Sequence, residues 1–182
     1  MLLTTAASFL FVLSASAAGP NIIYILADDM GVGDVKAYNP DCKFPTPNLD
    51  RLAADGMRFT NAYAGAPVCG PTRCSLLTGL HAGNMSMRVN NGHSPIRADE
   101  PTVASMLKAK GYATGGFGKW GIGGRGTTGV PEKHGFDEFF GYYDQVHAHT
   151  FYPSYLIRNS EEVPLPGNSG TSFYEGKTHA QL

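Results

Sequence analysis

The chain has 182 residues, enough for one ordinary domain with a sizeable core. Its 14 Lys and Arg stand against 15 Asp and Glu, and a formal charge of -1 leaves no electrostatic case for a nucleic-acid partner. Charged residues make up only 16%, while 23 Gly and 12 Pro call for many turns on a rigid frame rather than for compositional disorder.

The first segment, Met1 to Ala18, has an apolar stretch centred on Phe9 to Leu13 and then the small residues Ala15-Ser16-Ala17. The apolar stretch falls short of the roughly 20 residues that a membrane span needs. It reads as a cleaved secretory signal, although no Lys or Arg strengthens its start, and it implies a secreted or periplasmic protein with no stable membrane insertion. A buried first helix is the other reading.

Asn21 to Ala27 is a short apolar run rich in β-branched residues, which predicts a strand buried on both faces of a parallel sheet. Asp28-Asp29-Met30-Gly31 follows at its carboxyl end, where open α/β sheets hold their ligands. A helix comes next, with Thr46 as its cap, Pro47 in its first turn, Leu49, Leu52 and Ala53 on one face, and Gly56 at its end. Met57 to Ala64 is expected to be extended. Thr102 to Lys110 is helical, with Val103, Met106 and Leu107 on one stripe, and stops at Gly111; a strand over Tyr112 to Phe117 follows. Alternating strands and helices predict an α/β layered fold. From Gly111 to Gly129, nine of nineteen positions are glycine, so this stretch is loop whose backbone can approach a ligand closely. From His147 onward no clear periodicity remains, and the chain shows no internal repeat, coiled coil or second domain.

Three cysteines, Cys42, Cys69 and Cys74, leave at least one without an internal partner in an exported protein. A Cys42–Cys74 disulfide and three buried thiols are both open. The segment from Val68 to Gly79 carries the strongest chemical signal. Pro71 suits an early helical position, which puts Cys69 at a helix N-terminus, where unbonded amides and the helix dipole favour negative charge. Arg73 adds a fixed cation within one turn. A thiol so placed is expected to be reactive and to face an anionic ligand. A buried structural thiol before a helix is the bland alternative.

Two adjacent carboxylates at a strand end, Asp28 and Asp29, repel one another unless a cation lies between them, and hard oxygen donors suit Ca²⁺, with Mg²⁺ possible. A solvated Asp-Asp turn is the competing reading. Gly116-x-Gly118-x-x-Gly121 matches a dinucleotide-binding pattern, but Ile122 to Pro131 is too rich in glycine to form the helix which that pattern requires. Trp120 also stands where a P-loop needs Ser or Thr after its lysine.

Cys69, Pro71, Arg73, Thr78 and Gly79 together resemble the signature of the type I sulfatases, a formylglycine-dependent family of the alkaline phosphatase superfamily. Pro45 to Leu52 is similar to an early helix of that family, Phe59 to Tyr63 to the segment leading to its nucleophile, and Gly118-Lys119-Trp120 to its Gly-Lys-Trp motif. The resemblance implies an alkaline phosphatase-like α/β fold with a central, mostly parallel sheet flanked by helices. Residues 1–18 would be the signal and residues 19–182 the first part of a catalytic domain, incomplete on its C-terminal side and probed alone expected to have little activity. It further implies sulfate ester hydrolysis through a formylglycine made from Cys69 by a maturation enzyme, with Asp28, Asp29 and modified Cys69 on the metal, Arg73 orienting the nucleophile and Lys119 on the sulfate. Many members carry a histidine after the tryptophan, where this chain has Gly121. His147, from the His147-Ala148-His149 cluster, is the favoured replacement as a substrate contact; His81, His93, His134 and His179 are read as packed or surface residues. A sulfated small molecule or polysaccharide is the implied substrate. A phosphonate or phosphodiester hydrolase of the same superfamily, and a non-catalytic exported protein binding sulfated ligands, remain as alternatives.

Overall fold

The computed structural model describes residues 19–90 and 95–168. The expected signal segment, His93 and His179 lie outside the described residues. The chain divides into two compact units, Met1–Gly56 and Met57–Leu182, and each is described by itself.

In the first unit the expected helix forms as α1 (Pro47–Asp55), with Pro47 in its first turn and Gly56 closing it through a hydrogen bond from its N–H to the Leu52 carbonyl. Thr46 does not cap it with its side chain. Its hydroxyl donates instead to Asp50 Oδ1 (3.0 Å) and accepts the Lys36 N–H (3.0 Å), while Asp50 Oδ1 also accepts the Ala37 N–H (2.8 Å). The threonine thus ties the incoming loop to the helix. The apolar face of α1 is present in the sequence but uncovered: the helix buries none of its residues, and Leu52 is 66% exposed.

The strand expected over Asn21 to Ala27 is not formed. The segment is irregular, and Ile22, Ile23, Tyr24 and Ile25 are all exposed. A strand needs a hydrogen-bonded neighbour to satisfy its backbone, and there is none among the described residues of this unit. Met57 to Ala64 likewise has no strand, only bends and irregular backbone.

The second unit is built on a four-stranded mixed sheet in the order β1 (Gly115–Lys119), β2 (Glu138–Tyr142), β3 (Tyr155–Arg158), β4 (Glu161–Pro164). β1 and β2 are parallel, with Gly115 opposite Glu138 and Lys119 opposite Tyr142. The other pairs are antiparallel. β1 begins three residues later than the strand expected from Tyr112. The hairpin β3–β4, hidden in the aperiodic tail, turns on Asn159 and Ser160, both with positive φ (46° and 71°), the geometry that matches strand twist in two-residue turns. The Ser160 N–H donates to the Tyr143 hydroxyl (2.7 Å), which in turn donates to Glu132. Burial and this carboxylate keep the Tyr143 phenol protonated, with its pKa pushed up to about 12.

The core of this unit gathers Cys74 from α2 (Cys69–Thr78), Met85, Met87, Ile96, Trp120, Ile122, Val130, Phe139, Tyr143 and Ile157. Trp120 meets Phe136 and Phe139 edge-on at 5.4 and 6.0 Å, and its indole N–H donates to the Gly129 carbonyl (2.6 Å). That bond folds the glycine-rich loop back onto the core. No helix follows β1 before Pro131, as the glycine content required. α3 (Val103–Lys108) starts at Thr102, whose hydroxyl accepts the Ser105 N–H (3.1 Å) and donates to the His134 carbonyl (2.5 Å). All three cysteines are thiols, and Cys74 is fully buried, which pushes its thiol up from the ordinary value. Among the described residues, no helix is long and apolar enough to cross a membrane.

Two expectations test this packing. Gly135 has φ 95°, and a Cβ there would overlap the backbone N and Cα of Ser105 at the start of α3. Gly135→Ala should lower stability by about 3 kcal/mol through strain and overlap, read as an earlier urea midpoint; a change under about 0.5 kcal/mol would contradict the packing. Asp137 accepts from Lys108 Nζ (2.5 Å) and the Thr114 N–H (2.9 Å), and these contacts hold its carboxyl down at about 2. A depressed carboxylate stabilises the fold above its unfolded pKa, about 3.9, and the benefit is lost as pH falls through the folded value. The gap in Tm between wild type and Asp137→Asn should therefore be open at pH 6 and closed by about pH 2.

Candidate active site

α2 begins where the sequence places it. Val68 is extended (φ -136°, ψ 158°), Cys69 takes the first helical position, and Pro71 lies in the first turn, where its missing N–H costs no bond. Gly79, in the left-handed conformation (φ 69°), ends the helix. The Thr72 hydroxyl donates to the Ala66 carbonyl (2.6 Å) and fixes the chain entering the helix. Asn90 reaches this terminus from the other side. Its Nδ2 lies 3.7 Å from Cys69 Sγ, and its Oδ1 accepts the Gly70 N–H (3.3 Å).

Gly70 has no room for a side chain. A Cβ there would stand 2.6 Å from Met87 Cε, 2.9 Å from Asn90 Oδ1 and 3.3 Å from the Gly121 carbonyl oxygen. The residue after Cys69 is therefore packed against the turn that leaves β1. Gly121 in that turn has φ 77°, and a Cβ on it would overlap Gln145 Nε2 and lie 3.3 Å from Arg73 Cδ. The helix start and the end of β1 meet at two glycines, of which Gly121 needs its residue type for its positive φ and Gly70 for the tight fit beside Met87, Asn90 and the Gly121 carbonyl.

Arg73, one turn into α2, donates from its guanidinium to the Lys119 carbonyl. The same strand end is held by the β1–β2 ladder, which continues past Lys119: the Trp120 and Gly121 N–H groups donate to the carbonyls of Tyr142 and Tyr143, both at 2.9 Å. Lys119 Nζ lies 3.1 Å from His149 Nε2. Cys69 and Arg73, from one motif, and Lys119, from another, are thus brought to adjoining elements of the second unit.

His147 sits elsewhere in this network. Its ring packs between Tyr155 (4.5 Å) and Tyr142 (5.3 Å), and its Nε2 bonds to the Tyr155 carbonyl (3.0 Å). It belongs to α4 (Gln145–Ala148), a short helix capped by Asp144, whose Oδ1 accepts the His147 N–H (2.7 Å). Gln145, 5% exposed, donates to the Gly121 carbonyl (3.1 Å). Asn90, Gln145 and His149 are the residues of this cluster that motif reading did not single out. His149 had a signal in its paired histidine; Asn90 and Gln145 belong to no motif.

Asp28 and Asp29 lie exposed in the first unit, after the apolar segment, and the chain turns at Asp29 (φ 56°), a conformation that Asp tolerates better than most residues. Two adjacent carboxylates suit a hard divalent cation in donor type, but supply only part of the six to eight oxygens that calcium takes. Among the described residues no three or more His, Cys, Asp or Glu come together to hold a metal ion.

A family model described as Sulfatase matches residues 20–176. Arylsulfatase A of Homo sapiens is 43% identical over 133 residues, 70% of this chain and 26% of that protein. The N-acetylgalactosamine-6-O-sulfatase of Bacteroides thetaiotaomicron is 46% identical over 114 residues, 60% of this chain and 22% of that protein. A solved sulfatase from the glycosaminoglycan metabolism of Bacteroides thetaiotaomicron is 39% identical, with a TM-score of 0.65 over 79% of this chain and 32% of that one. Another structure, solved with its substrate D-glucosamine-2-N,6-O-disulfate, is 28% identical with a TM-score of 0.66, covering 82% of this chain and 28% of its own. The chain spans about a quarter of the length of the curated relatives it matches. The likeness to these structures makes the fold alkaline phosphatase-like. By this match across most of its length, the chain belongs to the sulfatase family.

Proposed function

We propose that the whole protein hydrolyses sulfate esters to an alcohol and inorganic sulfate, with Cys69 as the residue converted to formylglycine. The observation that carries this reading is the place of Cys69 at the first position of α2, with Arg73 in the next turn bonded to the carbonyl of Lys119. Family membership supplies the chemistry that this cluster would perform. Residues 19–182 are read as the first part of the catalytic domain, and export is read from the segment before them.

A hydrated aldehyde at position 69 would supply a hydroxyl nucleophile and a second hydroxyl through which the sulfated residue can release its product. The chain's own residues act around that step. The Gly70 N–H is taken by Asn90 and the Thr72 N–H by the Val68 carbonyl, so it is the positive end of the α2 dipole that favours an anion beside residue 69. Asn90, 3.7 Å from Sγ and bonded to the Gly70 N–H, restrains that residue in one orientation. Arg73 fixes the backbone of Lys119 against the helix, so the lysine approaches from a set position. The Lys119 ammonium balances the sulfate oxygens as charge builds on them. Asp28 and Asp29 would be ligands of a hard divalent cation, calcium in this reading; such a cation supplies Lewis-acid polarisation of the ester.

The substrate class read here is a sulfated small molecule or saccharide, in keeping with relatives that act on N-acetylgalactosamine-6-sulfate and glucosamine sulfates by name. A maturation enzyme that oxidises Cys69 is the implied partner.

Comparing the full-length protein on an aryl sulfate and on aryl phosphate diesters tests the reading. Turnover of the sulfate should dominate, Cys69→Ala should abolish it, and Lys119→Ala should lower kcat/KM about 10²-fold. Preferred cleavage of the diester, or activity that survives Cys69→Ala, would overturn it.

A further inference from the structure

We propose that His149 is the positioning residue for Lys119, while His147 anchors the helix that presents it; this deepens the proposed site and rests on that reading of Lys119. A free lysine side chain is spread over many rotamers, and that freedom must be lost before its ammonium occupies one place. At Lys119 the backbone is already fixed, by the ladder to β2 and by Arg73 on its carbonyl. The side chain is half-buried, and its Nζ stands 3.1 Å from His149 Nε2. An ammonium can only donate, so Nε2 accepts and the imidazole proton resides on Nδ1.

The frame that sets His149 in place is unusually complete for so short a helix. Asp144 Oδ1 caps α4 on the His147 N–H (2.7 Å). Gln145 Nε2 bonds to the Gly121 carbonyl (3.1 Å), and the amide of Gln145 fills the space that a side chain at 121 would need. His147 spends its ring on Tyr142 and Tyr155 and its Nε2 on the Tyr155 carbonyl. His149 then closes the helix, its N–H bonded to the Gln145 carbonyl (3.1 Å), with its ring directed to Lys119. No side chain can approach the lysine from position 121, and α4 supplies the acceptor in its place. The two histidines of the pair divide the work: His147 holds the scaffold and His149 holds the lysine.

Lysine labelling tests this without depending on turnover. The full-length protein is treated with trace acetic anhydride, and acetylation of Lys119 is measured by peptide mass spectrometry relative to exposed Lys110. His149→Leu keeps bulk but offers no acceptor, so Lys119 should label about tenfold faster, the scale of one hydrogen bond to a charged group. His149→Gln restores an acceptor oxygen and should label near the wild-type rate. On a sulfate ester, His149→Leu should lower kcat/KM about tenfold and His149→Gln should recover most of it, because the lysine that meets the sulfate oxygens is no longer held in place without an acceptor at 149. His149→Ala serves as the second acceptor-free variant if the Leu form melts early. Lys119 labelling at the wild-type rate in every folded acceptor-free variant would overturn the proposal. If wild type cleaves no sulfate ester, the functional reading fails, and the labelling ratio still decides the role of His149.

Discussion

The approach of one backbone to another, at Gly70 and Gly121, is the constraint on which the rest of the candidate site depends. Each position lacks space for a Cβ, and one faces the carbonyl of the other. Because the start of α2 lies against the turn after β1, a helix terminus favourable to anions and a lysine at a strand end are on adjoining elements. A side chain at Gly70 would displace Met87 and Asn90 and press on the Gly121 carbonyl, and one at Gly121 would displace Gln145 and strain a backbone at φ 77°, so either would disturb the groups that frame the site.

Around that contact the polar groups serve placement before chemistry. Arg73 acts through the main chain of Lys119, and Gln145 through the main chain of Gly121. The Trp120 indole acts through Gly129 and brings the glycine-rich loop onto the core. Bonds from side chain to backbone of this kind fix loops that regular secondary structure cannot reach. They explain how a stretch with so many glycines holds a defined shape, and why the catalytic reading of Lys119 does not require a helix after β1.

The sequence was most legible where local chemistry decides the structure. Pro47 and Gly56 bounded α1, Pro71 marked the first turn of α2, and Thr102 opened α3, because caps and breakers act over a few residues. The five-position signature led to the family itself. Legibility failed where partners were needed. Asn21 to Ala27 has strand composition but no neighbour to bond among the described residues of its unit, and it is irregular and exposed. The β3–β4 hairpin escaped notice because its turn uses Asn159 and Ser160 at positive φ without glycine. Which histidine of the pair meets Lys119 depends on tyrosines 142 and 155, whose convergence on His147 is set by strand pairing rather than by spacing along the chain. Asn90 and Gln145 are invisible to motif reading for the same reason.

The account as a whole turns on the chemical state of residue 69. Natively expressed full-length protein, digested with trypsin, yields a peptide from Phe59 to Arg73 that contains it. Mass spectrometry of that peptide should show an aldehyde at position 69, trapped by a hydrazide reagent, in place of the thiol. An unmodified Cys69 in protein made by its native host would contradict the reading of this chain as a sulfate ester hydrolase.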